Sequence, residues 1–340
     1  MFYRKVNPLK EYDLSVEALV GEQVKKLMSY WLNWEQEEFV LHLKGQVVIE
    51  PTYGWGVVGR SNLIYFSLGV SRTPFQRKPS IFGLIQRKKK TRLPIAISLR
   101  DSGEENYFHF YNEVLTKLFF LTEKGVDVTS IPIVVAQRLW EKPYFQFFYR
   151  HANYLQSLQW VVQRDDYIVC EEAIFCKPLT HRLDLWQRVV GLIPKGIQME
   201  RNKRIFVSRK RSRLRYIEND DEIWAMCQQL NIKVLELDDL PLPEQQSWFA
   251  SAEIIIGIHG AGLSNIIFRE DNCWVLEIFP PTREHYLPFH YMMLSLQKGF
   301  QYHALMGSKA SKLYSGGFYL DPKRFAAEVN QILEMQQEKN

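Results

Sequence analysis

With 340 residues, 46% of them hydrophobic, the chain can fill more than one core, which excludes a disordered polymer and favours two domains. The net charge of +5 is local: residues 201–215 hold eight Lys or Arg and no acid, and Arg77, Lys78, Arg87, Lys88, Lys89, Lys90 and Arg92 fall within 76–92 without a carboxylate. Four scattered cysteines (Cys170, Cys176, Cys227, Cys273) with no CxxC pair exclude a disulfide scaffold and a zinc knuckle, and no apolar run reaches transmembrane length, so a cytoplasmic protein is expected.

In chain order, residues 39–69 mix β-branched and aromatic residues with Gly-Trp-Gly punctuation and read as short strands and turns. "PIAISL" (94–99) and "IPIVVA" (131–136) read as buried strands. Between them Phe108, Tyr111, Val114, Leu115, Leu118 and Leu121 recur at helical spacing, with Asn106 as N-cap and Gly125 as terminator. "YIVC" (167–170) closes the first half. Pro178, Pro194 and Gly196 surround one short helical pattern and mark a link. The second half alternates more regularly: "RIFVS" (204–208) as a strand, a helix opened by Asn219 with Glu222 in capping-box position, "KVLEL" (233–237) as a strand, a helix from Pro243, then "IIIGI" (254–258) and "WVLEIF" (274–279) as strands. This alternation predicts doubly wound parallel sheets. The boundaries expected are 1–175 for an N-terminal domain, 176–203 for the link, 204–321 for a C-terminal domain and 322–340 for a terminal helix.

Four stretches carry chemistry. "IIIGIHGAGLSNIIF" brings a strand to its carboxyl end, where ligands of such sheets bind, and continues into a predicted helix start. Gly257, Gly260 and Gly262 there suit positive φ and close approach to a ligand; His259, Ser264 and Asn265 supply donors beside helix amides that favour an anion. A neutral His259 fits the positive end of a helix. A tight turn with no ligand is the plain alternative, since the spacing is neither a Walker A loop nor GxGxxG.

In "RIFVSRKRSRLRYIEND", Ser208 ends a strand, and Arg209, Arg213 and Arg215 offer planar forks to phosphate oxygens. The alternatives are a solvated basic turn or nucleic-acid contact. Glu277 is a carboxylate in an apolar strand, placed either to accept from ribose hydroxyls or to form a buried pair with an arginine. His109 and Glu113, four apart on one helical face, suit removal of a proton from a hydroxyl, or simply a polar face.

Taken in order, "NYFHFYNEVLTKL", the Ser-Arg block, "PEQQSWFASAEIIIGIHGAGLSNIIF" and "WVLEIFP" resemble the hallmarks of glycosyltransferase family 61, over roughly residues 94–305. The resemblance implies a GT-B fold, two Rossmann-like domains facing a cleft with a β-rich segment in front, the first on the acceptor side and the second binding a nucleotide sugar. It implies an inverting single displacement onto a saccharide or glycoconjugate hydroxyl, in polysaccharide or glycan biosynthesis of the bacterial capsular or exopolysaccharide type. Ser208, Arg209, Arg213, His259, Gly260, Gly262, Asn265 and Glu277 would line the donor site, joined by Gly257 and Ser264. His109 would fall where the family has its helix His, and Glu113 stands where the family has Asp. No cofactor and no bound metal are expected, because basic groups and helix dipoles take the leaving group. A lipid-linked acceptor at the inner face of the membrane fits this reading, with the 76–92 cluster touching anionic headgroups. A nucleic-acid-binding protein using 201–215, and a catalytically silent nucleotide-binding homologue, are the alternatives.

Overall fold

The computed structural model describes residues 2–8, 22–33, 35–68, 78–101, 103–196, 199–200, 203–310 and 316–338. The chain forms two compact units, one of residues 1–7 and 35–194, the other of 8–34 and 195–340. One division falls between residues 194 and 195. The helix Leu183–Val190 belongs to the first unit, and the helix Glu22–Met28, ahead of it in the chain, belongs to the second.

The first unit is built on one eight-stranded sheet. Its strands are β1 (Phe2–Pro8), β2 (Glu35–Ile49), β3 (Gly56–Val58), β4 (Asn62–Ile64), β5 (Lys90–Ser98), β6 (Ile133–Ala136), β7 (Trp160–Gln163) and β8 (Tyr167–Lys177), in the order β4-β3-β2-β8-β5-β6-β7 with β1 also on β2. The expectation of a doubly wound sheet holds for half of it. β8, β5, β6 and β7 are parallel, but β4, β3, β2 and β8 are antiparallel. Connections of a few residues, with Gly54 and Gly59 in left-handed conformation, can join only antiparallel neighbours, so the β-rich segment extends the sheet without winding around it.

β6 is buried at all four residues, as a central parallel strand covered on both faces should be. The crossover from β5 to β6 carries the predicted helix. Asn106 caps it by accepting from Phe108 N at 2.9 Å, and Gly125 ends it in left-handed conformation. Inside, Phe110–Leu115 is wound as a π-helix, a local expansion that often marks a functional site.

The second unit is doubly wound as expected. β9 (Lys203–Val207), β10 (Lys233–Leu235), β11 (Ala252–Ile258), β12 (Trp274–Phe279) and β13 (Gln301–Met306) are all parallel, in the order β10-β9-β11-β12-β13. Phe206, Ile254, Ile256, Ile258, Leu276 and Ile278 form one apolar face with Ile223 and Cys227 of the helix Asp220–Gln229 and Phe325, Val329 and Ile332 of the helix Pro322–Gln337. The terminal helix is therefore part of this core. Asn219 makes no cap hydrogen bond of its own: its side chain instead exchanges bonds with the backbone of Leu320, at 2.9 and 3.0 Å, which fastens the two helices' entrances together. The short strand β10 gives way to a 3-10 turn, Leu237–Asp239, earlier than the pattern "KVLEL" suggested.

Candidate active site

The register of the second sheet sets the site. Gly257 pairs with Val207 on one side and Glu277 on the other, so β9, β11 and β12 end nearly level. The sheet reverses its winding between β9 and β11, and at such a switch point the two outgoing loops part and leave a crevice. Ser208 and Arg209 leave β9 there; His259 and Gly260 leave β11. Arg209 Nη1 donates to the His259 carbonyl at 3.1 Å and crosses the crevice.

The three glycines serve close approach, and none adopts the left-handed conformation expected from the sequence; Gly260 is extended. A Cβ on Gly260 would lie 2.0 Å from Arg209 Nη1, one on Gly257 2.5 Å from Leu263 Cδ2, and one on Gly262 2.8 Å from Leu237 Cδ1. The following segment, Ala261–Phe268, is a 3-10 helix, tighter than the α-helix expected.

Side chains two residues apart on a strand share a face. His259 is two beyond Gly257, whose partner is Glu277; Tyr302 is two before Ala304, also a partner of Glu277. The three side chains therefore form a diagonal row across β11, β12 and β13. His259 Nδ1 lies 2.5 Å from Glu277 Oε1, and the Tyr302 hydroxyl donates to Oε2 at 2.6 Å. Glu277 is fully buried, held between His259 and Tyr302.

Burial pushes the Glu277 carboxyl up to about 8, against the Tyr302 hydrogen bond and the charge of Arg215. Burial, with the charges of Arg215 and Arg209, holds the His259 imidazole well below its usual range. With the ring neutral and the carboxyl protonated, Oε1–H would donate to Nδ1, since Oε2 accepts from Tyr302, and Nε2 would be the ring's donor. His259 also stacks on Phe279, centroids 5.1 Å apart.

Ser264 and Asn265 are likewise fully buried. Asn265 Nδ2 donates to Gln245 Oε1 at 2.9 Å, and Gln245 in turn donates to the carbonyls of Leu237 and Leu240, so this amide ties the 3-10 helix to the helix Leu242–Ser251. Ser264 adjoins Tyr291, a buried phenol of the helix His290–Gln297 that the sequence reading passed over.

Among the described residues the basic block divides into two groups. Lys203, Arg204, Lys210, Arg211 and Arg213 pair with Glu200, Glu253, Asp239, Asp220 and Asp238. Arg213 is therefore an exposed partner of Asp238, at 2.9 Å. Arg209 and Arg215 direct their charge at His259. Arg209 Nε is buried with no partner among the described residues, and burial together with the Arg215 charge lowers its guanidinium to about 10.

His109 and Glu113 lie in the first unit, at the start of the helix that follows β5. His109 Nδ1 bonds Glu113 Oε2, and both side chains keep contact with solvent. Although burial pulls it down, the charge and hydrogen bond of Glu113 raise the His109 imidazole above its usual range. Gly103, in left-handed conformation, packs against the ring: a Cβ there would stand 3.2 Å from His109 Cδ2. Beside them the buried Lys117 donates to Asp101 Oδ2 at 2.7 Å and to the Arg100 carbonyl at 3.1 Å. Burial, offset by Lys117 and reinforced by Glu113, raises Asp101 to about 6. The polar run "LRDSGEEN" after a predicted strand carried a signal for this cluster; the pairing with Lys117 did not.

Among the described residues no three His, Cys, Asp or Glu side chains are grouped to ligate a metal ion, and no helix is long and apolar enough to cross a membrane. An open pocket in the first unit, lined by Lys44, Gly45, Arg92 and Glu172 among others, contains none of the candidate residues.

Residues 107–276, half of the chain, match the family profile described as Glycosyltransferase 61, and that span runs from the helix of His109 to the strand of Glu277. Over 75 residues, 21% of the chain, it is 35% identical to alpha-1,3-arabinosyltransferase XAT3 of Oryza sativa subsp. japonica. Over 95 residues, 27% of the chain, it is 30% identical to alpha-1,3-arabinosyltransferase XAT2 of the same organism. These stretches span only 13% and 15% of the two relatives. With the match covering half of the sequence, the chain belongs to the glycosyltransferase 61 family.

Proposed function

We propose that the chain is an inverting glycosyltransferase that moves a pentosyl or hexosyl group from a nucleotide sugar to a hydroxyl of a saccharide or glycoconjugate. The observation that carries the reading is Arg209: a half-buried guanidinium at the switch point, its Nε without a partner, beside a neutral His259 held by Glu277 and Tyr302. A diphosphate there would receive charge-assisted hydrogen bonds from Arg209 and Arg215 and a neutral one from His259 Nε2. Ser208 and the backbone at Gly260 and Gly262 would flank it. Arg213 contributes at the rim, and Ser264, Asn265 and Glu277 hold the loop from behind.

In the reaction the acceptor O–H gives its proton to His109, whose partner Glu113 stabilises the imidazolium. The acceptor oxygen then forms its bond to C1 as the bond from C1 to the diphosphate oxygen breaks, and the nucleoside diphosphate leaves with the electron pair. The reading includes the GT-B class, a cytoplasmic place and the bacterial capsular or exopolysaccharide setting expected from the sequence. The names of the rice relatives put pentose donors first among those to test. Neutralisation of five basic residues by neighbouring acids weighs against a nucleic-acid-binding role for 201–215.

The test is a thermal-shift panel of nucleoside diphosphates and nucleoside diphosphate sugars on the wild type and His259→Ala. A selective upward shift of the wild type, absent in the variant, is expected. Indifference of both proteins to every nucleotide, with a salt-sensitive response to oligonucleotides, would sink the proposal.

A further inference from the structure

The first unit carries a surface that includes none of the candidate site residues. Ile81, Phe82 and Ile85, 67%, 69% and 56% exposed, share the short helix Ile81–Gln86. They are three of the seven large hydrophobic side chains that are exposed among the described residues, gathered on six residues. The helix is firmly seated. Leu84, 1% exposed, packs with Trp55, Val57 and Leu68, and Arg87, in left-handed conformation at the helix end, donates Nη2 to the carbonyls of Gly59 and Arg60 at 2.6 and 2.9 Å. The outward apolar triad is thus fixed by the fold. The sequence around it carries charge of one sign. Residues 51–100 contain no Asp or Glu and ten Lys or Arg. Of these, Arg60, Lys78, Lys88, Lys90 and Arg92 are exposed near the helix in sequence or across the Arg87 contact, while Lys89 is taken by Asp165.

We propose that the helix Ile81–Gln86 and its basic rim form a docking surface for an anionic lipid bilayer, with Ile81, Phe82 and Ile85 in the acyl boundary and the rim at headgroup level. Exposed aliphatic side chains ringed by cations match a membrane interface, where burial of apolar area adds to attraction for anionic headgroups. The same cations would meet the phosphates of a nucleic acid, but two isoleucines offer its bases no stacking face. The surface lies within the first unit alone, so the proposal stands apart from the transferase reading.

The test is sedimentation of the purified full chain with phosphatidylcholine vesicles, with and without phosphatidylglycerol. Binding is expected only with the anionic lipid. The triple variant Ile81→Ser, Phe82→Ser, Ile85→Ser should lower the partition coefficient on the order of a hundredfold, from the apolar area withheld. Lys88→Glu and Lys90→Glu should each lower it by at least about fivefold. The four native cysteines are buried, so Phe82→Cys offers a single accessible thiol for an environment-sensitive fluorophore. Its emission should shift to the blue on anionic vesicles, a readout that does not depend on the triple variant folding. An unshifted probe, or vesicle binding equal in wild type and a folded triple variant, would overturn the proposal. So would oligonucleotide binding that survives the triple variant while lipid binding is absent, or a dimer that the triple variant dissolves with lipid ignored.

Discussion

Replacing Gly260 by Ala isolates what the glycine loop does. The backbone at Gly260 is extended, so Ala brings no conformational strain; its Cβ would instead stand 2.0 Å from Arg209 Nη1, about 1.5 Å short of ordinary contact. The atom it meets is the end of a flexible side chain, so the guanidinium moves and the backbone does not. The hydrogen bond from Nη1 to the His259 carbonyl is lost, at a cost to folding of about 1 kcal/mol. Nucleotide binding suffers more: a displaced arginine forfeits a charge-assisted bond of about 1.5–3 kcal/mol, or roughly 10- to 150-fold in Kd. Calorimetric titration of the nucleoside diphosphate selected by thermal shift into Gly260→Ala, Arg209→Ala and the double variant reads this directly. Because the glycine acts through the arginine, its substitution should be nearly neutral once Arg209 is gone. Unchanged affinity in Gly260→Ala, or an effect undiminished in the Arg209→Ala background, refutes the reasoning.

Other consequences follow from the same geometry. Burial raises the Glu277 carboxyl from 4.5 to about 8, so the folded state holds a proton that the unfolded chain releases. The stability this confers is complete below the ordinary carboxylate range and is lost as pH rises through about 8. Melting temperature should fall over that window in the wild type and stay flatter in Glu277→Gln; parallel curves would contradict the assignment. Glu113→Gln should lower the His109 pKa, visible by nuclear magnetic resonance, and move the acid limb of kcat/KM to lower pH with a rate loss of about 10²-fold or more. A limb that stays in place would remove His109 as the base. Asn265→Ala should cost about 1–3 kcal/mol of stability by breaking the buried bond to Gln245, with nucleotide Kd changed only a few-fold in the folded protein. Affinity lost without a fall in melting temperature would mean that Asn265 touches the donor.

The sequence made the local features legible and left the cross-strand ones hidden. The strand before His259, the cap at Asn106 and the stop at Gly125 each depend on residues adjacent in the chain, and the fold follows them. The partners of Glu277 do not. His259 and Tyr302 lie 18 and 25 residues away, and they meet Glu277 only through the registers of β11 with β12 and β12 with β13. Without β13 in view, an acidic residue in an apolar strand suggested a ribose ligand or an arginine partner. The same blindness made the glycines look conformational. Their necessity comes from Leu263, Arg209 and Leu237 packing against them, contacts that a backbone signature does not contain.

Charge counting failed in a more instructive way. Eight basic residues in fifteen look like a single anion site, yet five of the described ones are answered by acids up to 49 residues distant in sequence. An exposed pair of this kind contributes about 1 kcal/mol or less and leaves little field for a ligand. Arg209 and Arg215 differ because their charge enters a buried setting, where both depress His259 and Arg215 opposes the upward shift of Glu277. Charges in such a setting are screened far less than those in water, so the two arginines whose charge reaches His259 outweigh the five that acids pair. A diphosphate entering there would meet its countercharge already desolvated and held in place, and removing either of those two arginines should therefore weaken it more than removing any of the paired five.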